Sequence, residues 1–242
     1  EMAASAPCRT LVGGVVQAVR GWLLALADCQ FRSVRHAATA AGLHFVDGLS
    51  NQCSGLRNFC ATALLQIRDA EAQQALSRVA SLTAEMGQVQ QLLRDLEASR
   101  DAIGVALVSR RSKDVDAEIR RSCFESLGRW ARVDPETFLE GAWTRYLHFG
   151  LNDREPKARS AVLAALLELL RGDPEATQAA AQHLAEYAKP RILARCNDAD
   201  ASVGAAAIRC VSALAARGLL AEDEFDPVID LIWDADAHRR SE

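Results

Sequence analysis

Five cations crowd into twelve residues of this chain: Arg110, Arg111 and Lys113, followed by Arg120 and Arg121. Guanidinium and ammonium groups at that density suit phosphate oxygens, and such contacts are salt-sensitive and blind to base sequence. Asp114, Asp116 and Glu118 are interleaved with them, so the stretch fits a solvated charged loop equally well. A second group is aromatic. Tyr146 and Phe149, with Arg145 bordering the Phe149 edge, form a cationic and aromatic docking point if they stay exposed, and part of a sandwiched helix if they do not. Catalytic patterns are missing. His36 and His44 stand eight apart, His148, His183 and His238 are isolated, and there is no zinc-protease motif, glycine-rich phosphate loop or nucleophile elbow. Glu222, Asp223, Glu224 and Asp226 lack the ordered spacing of a calcium loop and fit a solvated helix start. We therefore expect no enzyme activity, cofactor, metal or small-molecule substrate.

The elements that carry these groups follow from an internal repeat. Asp114 leads to Ile119-Arg120, then Cys123 and Leu127; Asp153 leads to Ala158-Arg159, then Val162 and Leu166. A third copy runs from Asp198 through Val203-Gly204, with Gly204 in the place of the Arg, and an earlier one from Asp28 to Val34-Arg35 has one residue more in the gap. The last three copies begin 39 and 45 residues apart, the period of HEAT or armadillo units. Such a unit is a helix pair that buries its apolar face only by stacking on its neighbours. The Asp belongs in the turn before the second helix, where it can accept from unpaired backbone N–H groups, and the Arg can bridge to the next unit.

Composition agrees with an all-α chain: half the residues are hydrophobic, aromatics are 5%, and β-type alternation is absent. Seven scattered cysteines without a Cys-x-x-Cys pair point to small buried hydrophobes in a reducing compartment. Apolar runs such as that from Ala161 are far too short for a membrane span of about 20 residues. No signal peptide is visible, and an opening on Glu1 leads us to expect a piece of a longer protein. Residues 109 to 172 carry 12 basic and 10 acidic groups, and 173 to 242 carry 7 and 13, which is not the footprint of a strongly basic nucleic-acid module.

Along the chain, Val12, Val15, Val16, Val19, Leu23 and Leu26 predict an amphipathic helix over 11 to 27, with Trp22 near its end. A second helix carries Phe31, Val34, Ala38, Leu43 and Val46. Val79, Leu82, Met86, Val89, Leu93 and Leu96 form a heptad seam. That seam predicts a long helix folded back on the stretch around Phe59, Leu64 and Ile67, or alternatively a dimeric coiled coil. Pro135 and Pro174 mark helix starts, Pro190 a kink or a new start, and Phe138 to Leu151 a single helix with an apolar arc of about 180 degrees. Trp130 and Trp143 are expected in the core. The divisions expected are 11–108 for an N-terminal repeat and long hairpin, 109–193 for central HEAT repeats, and 194–242 for a further repeat.

In order and register these residues resemble the stromal-antigen (SA/STAG) subunit family of cohesin. Ile119, Arg120, Glu125, Gly128 and Trp130 match its signature, followed by Phe138-Leu139, Tyr146, Asp153, Arg159, Lys189, Arg191 and Ile192. Trp22, Arg32, Arg35, His36 and Thr39 match the segment before its long helical arm, and the stretch ending at His238-Arg239 matches the next repeat. The resemblance implies a HEAT-like α-α superhelical solenoid with a long hairpin arm. It implies a nuclear, chromosome-associated scaffold that binds the kleisin subunit and, through it, the ring ATPases, with weak sequence-independent DNA contact. It also implies a pocket for aromatic-containing regulator peptides. There Phe149 replaces the family's Trp, and the family's Arg-Phe pair falls at Tyr187-Ala188, a departure that bears on which peptides fit. A HEAT adaptor of another class, a transport receptor or phosphatase scaffold, shares the repeat without requiring the Arg35-His36 and Gly128 to Trp130 segments.

Overall fold

The computed structural model describes residues 6–138, 143–172 and 174–225. The side chain of Val12, together with Leu139, Ala142, Asp173, Asp226, Pro227 and His238-Arg239, lies outside what is described. All the described regular structure is helical: α1 (Ala6–Ala27), α2 (Arg32–Ala72), α3 (Leu76–Arg111), α4 (Ala117–Val133), α5 (Pro135–Phe138), α6 (Thr144–Gly150), α7 (Pro156–Arg171), α8 (Pro174–Cys196), α9 (Ala201–Ala216) and a closing 3-10 turn, Glu222–Phe225. Among the described residues no helix is long and apolar enough to cross a membrane, and no group of His, Cys, Asp or Glu is placed to hold a metal ion. The chain forms two compact units that divide between Leu107 and Val108.

In the first unit α1 packs on α2, and α2 and α3 form an antiparallel hairpin. Helices of 41 and 36 residues make an arm roughly 55–60 Å long at about 1.5 Å per residue. The turn lies at Gln73 to Ala75, with Gln74 at a positive φ of 55° and Ala75 N–H donating to the Ala70 carbonyl. The seam faces inward: Val89 is buried, and Val79, Leu82, Met86, Leu93 and Leu96 are half-buried. Leu96 of the seam also lines a hollow with Val16 of α1. On α2 the facing stripe is Cys53, Cys60, Ala63, Ile67 and Ala70, all buried, while Phe59 and Leu64 point outward. The expected pairing was thus right at Ile67 and out of phase at the other two positions. Arg57 Nε donates to Glu97 Oε1 at 3.1 Å across the seam. Near its base Gly42 leaves room for Leu107, whose Cδ1 would stand 2.6 Å from any Cβ there. Among the described side chains of α1, Val16 and Ala27 are buried, and Val15, Leu26 and Trp22, the last 72% accessible, are exposed.

The second unit is the stacked repeat. α7 packs against both α4 and α9, so these three form one row, with α5, α6 and α8 alongside. Pro135, Pro156 and Pro174 each open a helix, where a missing N–H costs nothing. Pro190 lies inside α8, which continues through it. The division expected at 193/194 therefore falls within α8, because the repeating unit is α8 with α9. The helix expected from Phe138 to Leu151 is described only as α5, ending at Phe138, and α6. Gly128 of α4 sits against Ala165 of α7, and a Cβ at Gly150 would lie 2.6 Å from Val162 Cγ2 and 2.9 Å from the Phe124 ring. Trp130, Phe138 and Trp143 form a buried aromatic cluster with ring centroids 5.1 to 5.9 Å apart. Burial pushes the Cys123 and Cys210 thiols up to about 12 and Cys196 up to about 11, so these cysteines act as inert apolar packing. Gly128→Ala should overpack the α4–α7 contact and lower stability by about 1–3 kcal/mol. Thermal denaturation monitored by circular dichroism checks this, and an unchanged midpoint would show that the contact relaxes.

Candidate docking site at the repeat turns

The Asp of each repeat sits in the turn that precedes α4, α7 or α9. Asp114, Asp153 and Asp198 each accept through Oδ1 from the backbone N–H two residues on, at 2.9, 2.9 and 3.0 Å. That donor belongs to the residue just before the helix. Asp116 and Asp200 then accept from the first free N–H groups of α4 and α9. Pro156 occupies the first position of α7, and Glu155 makes no such side-chain cap.

One Arg per repeat links successive turns. Arg120 Nη1 donates back to the Asp114 carbonyl at 2.8 Å, and Nε and Nη2 donate forward to Asp153 Oδ2 and Oδ1, both at 2.7 Å. Arg159 repeats the pattern, reaching the Asp153 carbonyl at 2.7 Å and Asp198 Oδ1 at 2.6 Å. In the first unit Arg35 makes the same backward bond, to the Cys29 carbonyl at 3.1 Å. Gly204 stands at the next Arg position, so the series stops at α9. Asp198 also receives Arg195 at 3.1 Å, and Asp114 receives Arg111 at 2.8 Å. Burial alone would raise the Asp153 and Asp198 carboxyls. Hydrogen bonds from Arg120 and Arg159, with those from the turn backbone, outweigh it and hold both below the usual carboxylate range. The bond to Asp153 in turn raises the Arg120 guanidinium.

This geometry redistributes the expected phosphate-contact residues. Arg110 and Lys113 are exposed. Arg111 is engaged with Asp114, and Arg121 with Glu118 at 2.7 Å and Glu125 at 3.6 Å. Arg120 is 5% accessible and bound on two edges, so it is a structural bridge and not a surface cation. Its role depends on a residue 33 positions away in sequence. Among the expected docking residues, Phe149 is 58% accessible and Tyr187 is exposed, but Tyr146 is 5% accessible and joins the core through Trp143 at 6.4 Å. Arg145 is exposed and lies over the Tyr146 ring, 5.1 Å from its centroid. The Phe149 ring lies 6.3 Å from that of His148, and the Tyr187 ring 5.0 Å from that of His183. Arg191 of α8 donates to the His148 carbonyl at 3.3 Å, tying α8 to α6.

Two groups that looked separate in sequence meet here. Lys113 and Phe149 line one open groove of about 440 Å³, together with Val115, Asn152 and Arg154, with the Arg120–Asp153 pair among its walls. Val115, 78% accessible, and Arg154, whose Nη2 donates to the Val115 carbonyl at 3.0 Å, were not anticipated. The available signal was their equivalent place, each directly after a repeat Asp. The groove offers an apolar lip beside two cations and contains no nucleophile paired with a base.

Stacked helix pairs with braced turns and a surface groove define a helical-repeat scaffold. The stromalin conservative domain family matches residues 113–188, and the STAG domain family matches residues 9–93. The chain is 28% identical to cohesin subunit psc3 of Schizosaccharomyces pombe over 223 residues, 91% of this chain and 23% of that protein. It is 28% identical to sister-chromatid cohesion protein 3 of Arabidopsis thaliana over 214 residues, 88% of this chain and 19% of that one. The solved cohesin subunit Scc3 from Z. rouxii superimposes with a TM-score of 0.81 at 25% identity, covering 92% of this chain and 25% of the other. The chain is thus similar to the stromal-antigen (SA/STAG) family of cohesin subunits in both of its units, and it spans about a fifth to a quarter of the length of the relatives just described.

The depressed carboxyls predict an acid limb in stability. A folded-state pKa below the unfolded value of about 3.9 adds stability that is present above that pH and lost as pH falls through the folded value. Unfolding free energy should therefore be level near neutrality and fall below about pH 4. Asp198→Asn should cost about 3 kcal/mol at pH 7 by leaving Arg159 buried with a neutral partner, and should flatten the limb. Urea titrations across pH measure both, and a limb of unchanged steepness in the variant would show that Asp198 titrates as an ordinary carboxylate.

Proposed function

We propose that this chain is part of a non-enzymatic scaffold subunit of cohesin, nuclear and chromosome-associated, that binds the kleisin subunit and through it the ring ATPases. The stacked row of α4, α7 and α9 supplies a rigid platform, and the relatives whose names carry cohesin or sister-chromatid cohesion support the complex. The observation that carries a docking role is the groove in which Phe149 and Val115 stay exposed beside Lys113 and Arg154. A solvent-facing aromatic at the end of α6, beside a braced turn, suits an aromatic or acidic side chain of a regulator peptide. Tyr187 on α8 is a second exposed aromatic that a regulator peptide could meet. Arg110, Lys113 and Arg154 provide weak, sequence-independent phosphate contact whose strength falls with salt.

Cross-linking mass spectrometry on the endogenous complex from nuclear extract should recover a kleisin with links into the second unit. Recovery of transport or phosphatase components without kleisin would overturn the assignment. Phe149→Ala should weaken regulator-peptide binding while moving stability by only about 0.5 kcal/mol, since the ring is exposed; a large drop in melting temperature would make Phe149 a packing residue instead.

A further inference from the structure

At the far end of α7 from the groove lies a second concavity, roughly 24 Å away at about 1.5 Å per residue over the helix. It is a notch of about 560 Å³ between the C-terminal ends of α7 and α9, lined by Arg171, Arg209, Arg217 and Ser212 over Leu170 and Ala213. Arg217 follows the last turn of α9 and spans the gap: Nε donates to the Leu170 carbonyl at 2.6 Å and Nη2 to the Gly172 carbonyl at 2.7 Å. Those bonds satisfy terminal carbonyls of α7 and offset the negative end of its dipole, which would otherwise repel an anion. Arg209 and Ser212 are three apart on one face of α9, and the Ser212 hydroxyl donates to the Ile208 carbonyl at 3.1 Å, so Ser212 lines the wall and Arg209 supplies the donors there. Arg171 stands exposed on the opposite wall.

We propose that this notch binds the phosphoryl group of a phosphorylated segment of a partner protein. Planar guanidinium forks match a dianionic phosphoryl group two bonds at a time, and a cluster of them is the common solution for phosphopeptides. Leu170 and Ala213 give the flanking peptide side chain an apolar floor. A duplex fits less well, because it needs a basic track along successive phosphates. The stretch from 173 onward instead carries 13 acidic groups against 7 basic ones. The site goes beyond the cohesin reading and does not depend on it.

The test is fluorescence anisotropy on the whole chain with a peptide pool of random flanks around a central phosphoserine. The same pool with unmodified serine and a short duplex oligonucleotide serve as comparisons. The phosphorylated pool should bind at least about tenfold more tightly than the unmodified one, and Arg209→Glu and Arg171→Glu should each abolish that preference. Arg171 is exposed, so its variant reports the loss without disturbing packing, and circular dichroism verifies the fold of both. Equal binding of the two pools, a preference that survives Arg171→Glu, or a loss confined to the duplex would each overturn the proposal, the last by making the notch a nucleic-acid contact.

Discussion

The second unit depends on a charge that each repeat sends into the next. Arg120 and Arg159 lie under the turns, each holding its own turn's carbonyl and the following turn's carboxylate. Burying a guanidinium and a carboxylate costs several kcal/mol per ion, and their attraction recovers that only when geometry is good and the remaining donors are satisfied. Both conditions hold at Arg120, whose forward bond to Asp153 has two prongs. The contribution of such a bridge lies less in net stability than in register. α7 and α9 bury mostly small and aliphatic residues, Ala, Val, Leu and Ile, whose packing fixes register less sharply than a directional bond does. A buried ion pair that fits in one register only supplies that sharpness.

The braced turns have a consequence for the surface. Because the Asp114 and Asp153 turns are pinned together, the residues that follow each Asp, Val115 and Arg154, are held outward beside Phe149. Braced turns that display two cations beside the exposed Phe149 ring of α6 lose little entropy on meeting a partner. The same helices carry the arginine notch at their other ends, so one row of stacked helices supports two surfaces of different chemistry.

Much of this was legible in the sequence for a physical reason: the bridge needs particular residue types at particular spacings, and those survive as a repeat of Asp, then Arg, about 40 residues apart. The heptad seam of α3 was legible because its apolar period is regular. Phase was not. Phe59 and Leu64 are as apolar as Ile67, and the small stripe of Cys60, Ala63 and Ala70 that faces α3 carries little hydrophobic signal. Exposure of a charge was not legible either. Arg110 and Arg120 are chemically identical, and only the position of Asp153 in space decides that one is a surface cation and the other a buried bridge. Tyr146 went the same way, drawn inward by an aromatic cluster assembled from separate helices, while Phe149, three residues on, remained outside.

The central claim is that Arg120 and Asp153 act as one unit that couples adjacent repeats. A double-mutant cycle tests it: urea unfolding of the wild-type chain, Arg120→Met, Asp153→Leu and the double variant. Each single substitution should cost about 3–5 kcal/mol by stranding the other charge, whereas the double should cost far less than their sum. Strictly additive losses would contradict the account, because the two residues would then be stabilising their own turns independently and the repeats would be held in register by apolar packing alone.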